Sequence, residues 1–180
     1  MSQFGKTKLV KKMHFDKSAQ EKLLTGIDKI AEAVGSTLGA SGRNVIIEND
    51  YGDPHVTKDG VTVANNILLQ DPVENIAVSM MKQAAQKTAS IAGDGTTTSI
   101  VLTKAIIDSF YKLKGQDFSF RDIKSGINKF AKDVIKYITD KAIPVDLKML
   151  QDVSVISTNN DVDLGTTIAH AILSIPVKSF

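Results

Sequence analysis

The sequence predicts a mainly α fold: several long amphipathic helices with one small β-hairpin among them. Three observations carry that reading. Apolar residues recur at helical spacing over most of the chain. Only one short stretch, Val45-Ile46-Ile47 with its turn cluster and return, has strand character. The helix breaks carry capping residues and glycines rather than long loops.

The elements follow in order. Leu23, Leu24, Ile27, Ile30, Ala31, Val34 and Leu38 share one side of a first helix, with Asp16 or Ser18 as cap and Gly39 as its end. Val45–Ile47 and His55-Val56-Thr57 flank the turn cluster NDYGDP and predict a hairpin. Asp71-Pro72-Val73-Glu74 reads as a helix start: aspartate as cap, proline at the first helical position, glutamate placed to reach back. Val73, Ile76, Ala77, Met80, Ala84, Thr88 and Ile91 then form an apolar stripe, whose methionines read as core. A third helix is expected from about Thr96 to about Leu113. A fourth starts at Ser119, with Asp122 three residues later, and carries Phe120, Ile123, Ile127, Phe130, Val134 and Ile138 on one side. Shorter helices are expected near Leu147–Ile156 and Asp161–Ser174, and Lys8-Leu9-Val10 reads as a short strand.

Composition narrows the function. The chain has 180 residues, 42% of them hydrophobic and 23% charged, which suits a globular protein with a real core. A net charge of +2 is too balanced to argue for nucleic acid or an acidic membrane surface as partner. No run approaches the roughly 18 apolar residues of a membrane span. With no cysteine and three scattered histidines, disulfides, thiolate metal sites and a histidine metal cluster are not expected. The absence of cysteine leans towards a cytoplasmic location.

The stretch that carries chemistry is IAGDGTTTSI, residues 91–100. A helix N-terminus presents unpaired N–H groups and the positive end of the helix dipole. Glycines ahead of it let a backbone approach an anion closely. Gly95, Thr96, Thr97 and Thr98 thus offer an anion seat, but Asp94 would repel a phosphate. A divalent cation removes the conflict, because Mg²⁺ takes one or two carboxylates together with phosphate oxygens. On spacing alone, plain helix capping explains the stretch equally well. Thr37, Leu38, Gly39 and Ala40 form a second candidate, a phosphate-cradling loop; a helix stop is the more frequent reason for such a glycine. Lys58 and Asp59 form a third, a cation for phosphate charge and a carboxylate to orient water or metal; a polar turn is the bland alternative. The P-loop signature is absent.

Together the runs TLGASGRNVIIEN, TKDGVTVANNI and DPVENIAVSMMKQAAQKTASIAGDGTTTSIVLTKAII, with VISTNND more weakly, resemble the group I chaperonins. The resemblance extends from about Lys6 to about Leu173. GDGTT alone would also suit the group II relatives; GRNVII and TKDGVTVA favour group I. The resemblance implies a multihelical equatorial-domain half over residues 1–143 and the start of an intermediate domain over 144–180, divided near Pro144. It implies an ATP site with Mg²⁺ and K⁺. In that site Thr37, Leu38, Gly39 and Ala40 would wrap phosphates and Lys58 would lie beside the nucleotide. Asp59 would support hydrolysis, Asp94 would hold Mg²⁺, and Gly95, Thr96, Thr97 and Thr98 would contact phosphate oxygens. Ala40 stands where the family usually has proline, a departure that bears on the loop's rigidity and leaves its backbone donors in place. The resemblance further implies a homo-oligomer in a double heptameric ring, driving ATP-dependent folding of unfolded client proteins with a co-chaperonin lid. A complete family member also has an apical domain and a returning segment, which carries the water-positioning aspartate and the adenine pocket. The expectation is therefore an N-terminal portion of a chaperonin. Two alternatives stand beside the folding ATPase: a non-catalytic module acting only in subunit association, and a stand-alone phosphotransferase.

Overall fold

A computed structural model describes residues 13–48, 52–113 and 118–175. The expected strand at Lys8-Leu9-Val10 lies outside the described residues. The chain divides into two compact units, one ending at Phe118 and the other starting at Ser119.

In the first unit the order is α1 (Asp16–Gly35), β1 (Val45–Ile47), β2 (His55–Thr57), α2 (Gly60–Asn66), α3 (Pro72–Ala92) and α4 (Thr96–Leu113). The hairpin is antiparallel, with Val45 opposite Thr57 and Ile47 opposite His55. One core joins the four helices: Ile30, Ala31 and Val34 of α1, Val63 and Ala64 of α2, Val78, Met81 and Ala85 of α3, and Ile100 of α4. α1 and α3 approach closely because Gly26 has no side chain; a β-carbon there would collide with the Glu74 carbonyl. Lys22–Asp71 (2.5 Å) and Lys29–Glu74 (2.6 Å) tie the same pair of helices at the surface.

Several expectations are corrected. The first helix ends at Gly35, four residues before Gly39, and Leu38 lies beyond it, exposed. Neither Asp16 nor Ser18 caps it. Phe15 occupies the cap position, Asp16 is the first helical residue, and the Ser18 hydroxyl donates back to the Phe15 carbonyl at 3.3 Å. Asp71 does cap α3, accepting from the Val73 and Glu74 amides. Glu74, however, turns to Lys29 instead of reaching back. On α3 the buried residues are Val73, Ala77, Val78, Met81 and Ala85, while Ile76, Met80 and Ile91 are exposed. The stripe is helical, as expected, but rotated: α1 and α4 cover the face centred on Met81. Helix α2 was not anticipated. Residues Thr57–Gly60 do not merely close the hairpin; they lead straight into it.

The second unit contains α5 (Phe120–Lys141), α6 (Leu147–Ser157) and α7 (Val162–Ser174). Ser119 and Asp122 form a reciprocal capping box on α5. The apolar side expected on α5 is present, yet none of its residues is buried. α6 and α7 pack together through Gly165, where a β-carbon would collide with Val155. Gln151 Nε2 also donates to Thr166 Oγ1 across that pair at 3.0 Å.

Candidate functional site

The loop after α1 is built from short-range hydrogen bonds. Thr37 Oγ1 donates to the Val34 carbonyl at 2.7 Å, and the Leu38 amide donates to the Gly35 carbonyl at 3.1 Å. The chain then turns at Gly39, whose φ of 80° lies in the left-handed region that glycine adopts without strain. The Gly42 amide donates to the Gly39 carbonyl (2.9 Å) and the Arg43 amide to the Ser36 carbonyl (2.8 Å), closing the loop on itself. A β-carbon at Gly42 would collide with the Thr37 carbonyl, so this tight closure requires a bare α-carbon. Leu38, Gly39 and Ala40 are left exposed at the tip, where what they offer is backbone.

Asp59 stands between β2 and α2 as the cap of α2. Its Oδ1 accepts from the Val61 amide at 3.2 Å; its Oδ2 accepts from the Thr62 amide at 3.0 Å and the Thr62 hydroxyl at 2.6 Å. Burial works to raise the pKa of this carboxyl, but the Thr62 and Val61 hydrogen bonds outweigh it and hold the pKa below the ordinary value. Asp59 is therefore a fixed, ionised carboxylate near neutral pH. Lys58, beside it, is exposed.

The break between α3 and α4 follows from its glycines. Gly93 (φ 76°) ends α3, its amide donating to the Ala89 carbonyl at 2.8 Å. Asp94 is exposed, and its Oδ1 accepts from the Gly95 amide at 2.6 Å. Gly95 (φ 86°) then restarts the helix, its carbonyl accepting from the Ser99 amide at 2.8 Å. Thr96 and Ile100 are buried and anchor the first turn of α4 in the core. The side chain of Thr96 thus belongs to the interior. The first-turn amides of α4 have no intrahelical acceptor.

These stretches meet at Gly60. A β-carbon on Gly60 would collide with Thr97 Oγ1 and lie 3.1 Å from Thr97 Cβ and 3.2 Å from Thr37 Oγ1. The first residue of α2, next to Asp59, is thus wedged between the loop after α1 and the first turn of α4. Thr37, Asp59 and Thr97, far apart in sequence, belong to one locality. Asp94, Gly95 and Thr98 line a neighbouring open hollow of about 480 Å³ between α3 and α4, with Thr88, Ser99 and Leu102 on its wall.

Sequence reasoning missed Gly60 as the wedge and Gly42 as the loop closure. Both lay inside motifs already singled out, but a glycine's neighbours cannot be read from its position in the chain. It also missed Thr62, which holds the Asp59 carboxylate.

Among the described residues no group of three or more His, Cys, Asp or Glu side chains forms a metal cage. Mg²⁺ bound with phosphates asks of a protein only one or two carboxylates open to solvent. Asp94 fits that requirement, with one oxygen on the Gly95 amide and its side chain open to solvent.

Residues 30–179 match the description of the TCP-1/cpn60 chaperonin family. The chain belongs to the TCP-1/cpn60 chaperonin family. Within it, the group I character rests on relatives of the chaperonin 60 type. Chaperonin 60 subunit beta 3, chloroplastic, of Arabidopsis thaliana is 40% identical over 179 residues, covering 98% of this chain and 30% of the relative. The RuBisCO large subunit-binding protein subunit beta, chloroplastic, of Pisum sativum is 41% identical over 172 residues, covering 94% and 29%. Among solved structures, the chaperonin gp146 of bacteriophage EL 2 (Pseudomonas aeruginosa), determined in the presence of ATP-BeFx, aligns with a TM-score of 0.72. It is 32% identical, over 86% of this chain and 28% of that one. This chaperonin chain therefore spans about three-tenths of the length of the curated relatives it matches.

Proposed function

We propose that these residues form the phosphate-holding part of an ATP site in a chaperonin subunit that folds client proteins. The observation that carries the reading is the wedge at Gly60, which draws the loop of Thr37 and the helix start at Thr97 onto the residue that follows Asp59. Each part alone has a bland explanation as a helix stop, a cap or a turn. Their convergence is what a phosphate cradle needs: backbone N–H groups, a helix N-terminus and an ionised carboxylate.

In this reading the loop amides around Gly39 and Ala40 and the first-turn amides of α4 hold phosphate oxygens, helped by the Thr97 and Thr98 hydroxyls. Lys58 offsets phosphate charge. Asp94 holds Mg²⁺, with K⁺ as a further cation. When bound, Mg²⁺ neutralises charge on the phosphates. Asp59, locked by Thr62 and Val61, presents an ionised carboxylate that orients water. Phosphoryl transfer asks mainly for such positioning and charge compensation. The determination of the related phage chaperonin with ATP-BeFx supports the choice of nucleotide.

The remaining features extend the same proposal. Residues 1–143 belong to an equatorial domain and residues 144–180 begin an intermediate one. The subunit joins a double heptameric homo-oligomeric ring, works with a co-chaperonin lid, and acts in the cytoplasm. The test is ATP hydrolysis and Mg²⁺-dependent nucleotide affinity of the full-length protein carrying these residues, against its Asp94→Ala variant. Loss of Mg²⁺-dependent turnover in the variant is expected; unchanged turnover removes the metal assignment and returns residues 93–98 to helix capping.

A further inference from the structure

Lys82 stands on α3 at the opposite end of α2 from Asp59. Its Nζ donates to the Asn65 carbonyl at 3.0 Å and to the Ile67 carbonyl at 2.8 Å. These carbonyls belong to the last turn and the C-terminal cap of α2. The last carbonyls of a helix lack intrahelical partners and carry the negative end of its dipole. An ammonium placed on them closes the helix end. The side chain is partly buried, and this desolvation lowers its pKa below the ordinary lysine value. A partly desolvated cation on two carbonyls is fixed more firmly than a solvated surface lysine.

Helix α2 has seven residues, too few to hold its shape or place without outside contacts. Its position is set by its ends and its core residues Val63 and Ala64. At the N-terminal end Gly60 is wedged against Thr97 and Thr37. At the C-terminal end the Lys82 side chain joins α2 to α3.

We infer that Lys82 is a positioning residue: by clamping the C-terminal end of α2 to α3, it sets where Asp59 stands relative to Thr37 and Thr97. The inference rests on the ATP-site reading above and adds to it a residue that touches neither nucleotide nor metal.

The test uses the full-length protein carrying these residues, with Lys82→Met, Lys82→Arg, Asp59→Asn and the Lys82→Met/Asp59→Asn double variant. Lys82→Met should lower kcat on the order of tenfold while KM for Mg-ATP stays within about twofold, because Asp59 is displaced and the phosphate loop is not. Lys82→Arg keeps a donor in place and should restore most of the rate. In the double variant the loss should be no larger than for Asp59→Asn alone, since both changes act through one carboxylate. Lys29→Met removes an α1–α3 surface pair that does not involve α2 and should leave kcat unchanged. Wild-type kcat in Lys82→Met, or losses that multiply in the double variant, would overturn the inference. Hydrogen exchange reads the clamp separately. The α2 amides should exchange on the order of tenfold faster in Lys82→Met while those of α4 do not change; unchanged α2 exchange removes the clamp. If Asp59→Asn hydrolyses ATP at the wild-type rate, the site reading fails, and exchange still decides whether Lys82 holds α2.

Discussion

Gly60 and Thr97 leave no space between them: a methyl group on Gly60 would fall on the Thr97 hydroxyl. This contact joins the start of α2 to the start of α4, and through Thr37 it includes the loop after α1. Gly60→Ala should therefore push these elements apart. Overpacking of this kind costs about 1–3 kcal/mol. Urea unfolding should show that loss, and Thr97→Ala in the same background should recover part of it. Recovery would be partial because Thr97 Cβ also lies close, at 3.1 Å. Additive losses in the two single variants and the double would remove the contact from the account.

The two candidate aspartates should separate stability from chemistry. Asp59 caps α2 through Val61 and Thr62, so Asp59→Ala should cost about 1 kcal/mol of stability as well as slowing hydrolysis. Nucleotide should still bind, because the phosphate loop and Lys58 remain. Asp94 is exposed and bonds only the neighbouring Gly95 amide among the described residues. Asp94→Ala should leave the melting temperature unchanged and remove Mg²⁺-dependent turnover. Thermal melts and single-turnover hydrolysis on both variants check the separation.

Gly42 should matter to the loop and not to the core. Its β-carbon would meet the Thr37 carbonyl directly and lie 3.0 Å from the Gly39 carbonyl. Gly42→Ala should open the loop and weaken Mg-ATP binding on the order of tenfold, about 1.4 kcal/mol. Calorimetric titration is the measurement, with circular dichroism as the check that the helices persist. Wild-type affinity would show that the loop's closure does not serve the nucleotide.

Acid should loosen the start of α3. The hydrogen bond from Lys22, followed by that from the Val73 amide, lowers the Asp71 pKa to about 2. The unfolded value is about 3.9. Because the folded pKa is the lower one, the stabilisation is complete above the unfolded value and disappears as pH falls through about 2. Melts of the protein and its Asp71→Asn variant should differ by a constant amount above about pH 4 and converge towards pH 2. Added salt should shrink the gap, since the Lys22 pair is at the surface.

The hairpin at Val45–Thr57, the start of α3 at Asp71-Pro72 and the whole span of α4, Thr96–Leu113, were legible in the sequence. Each is announced locally, by a turn cluster, a cap with proline behind it, or a glycine break before a helical stripe. The local geometry of residues 93–98 was legible for the same reason, because a glycine break before a helix start is a property of neighbouring residues. So were α5, α6 and α7, close to their observed bounds; tertiary packing decided what local signals left open. It selected Val78, Met81 and Ala85 of α3 for the core over Ile76, Met80 and Ile91, since helical periodicity marks a stripe but only the crossing of α1 and α4 chooses which side is covered. It turned Glu74 to Lys29 on α1 instead of its own helix cap, because a cation from another helix came within 2.6 Å. It also made α2, a helix too short to signal itself, into the element on which the candidate site converges. Gly60 stands for the difference: its place after Asp59 can be read from the chain, but the Thr97 side chain that requires it to be glycine arrives only through the fold.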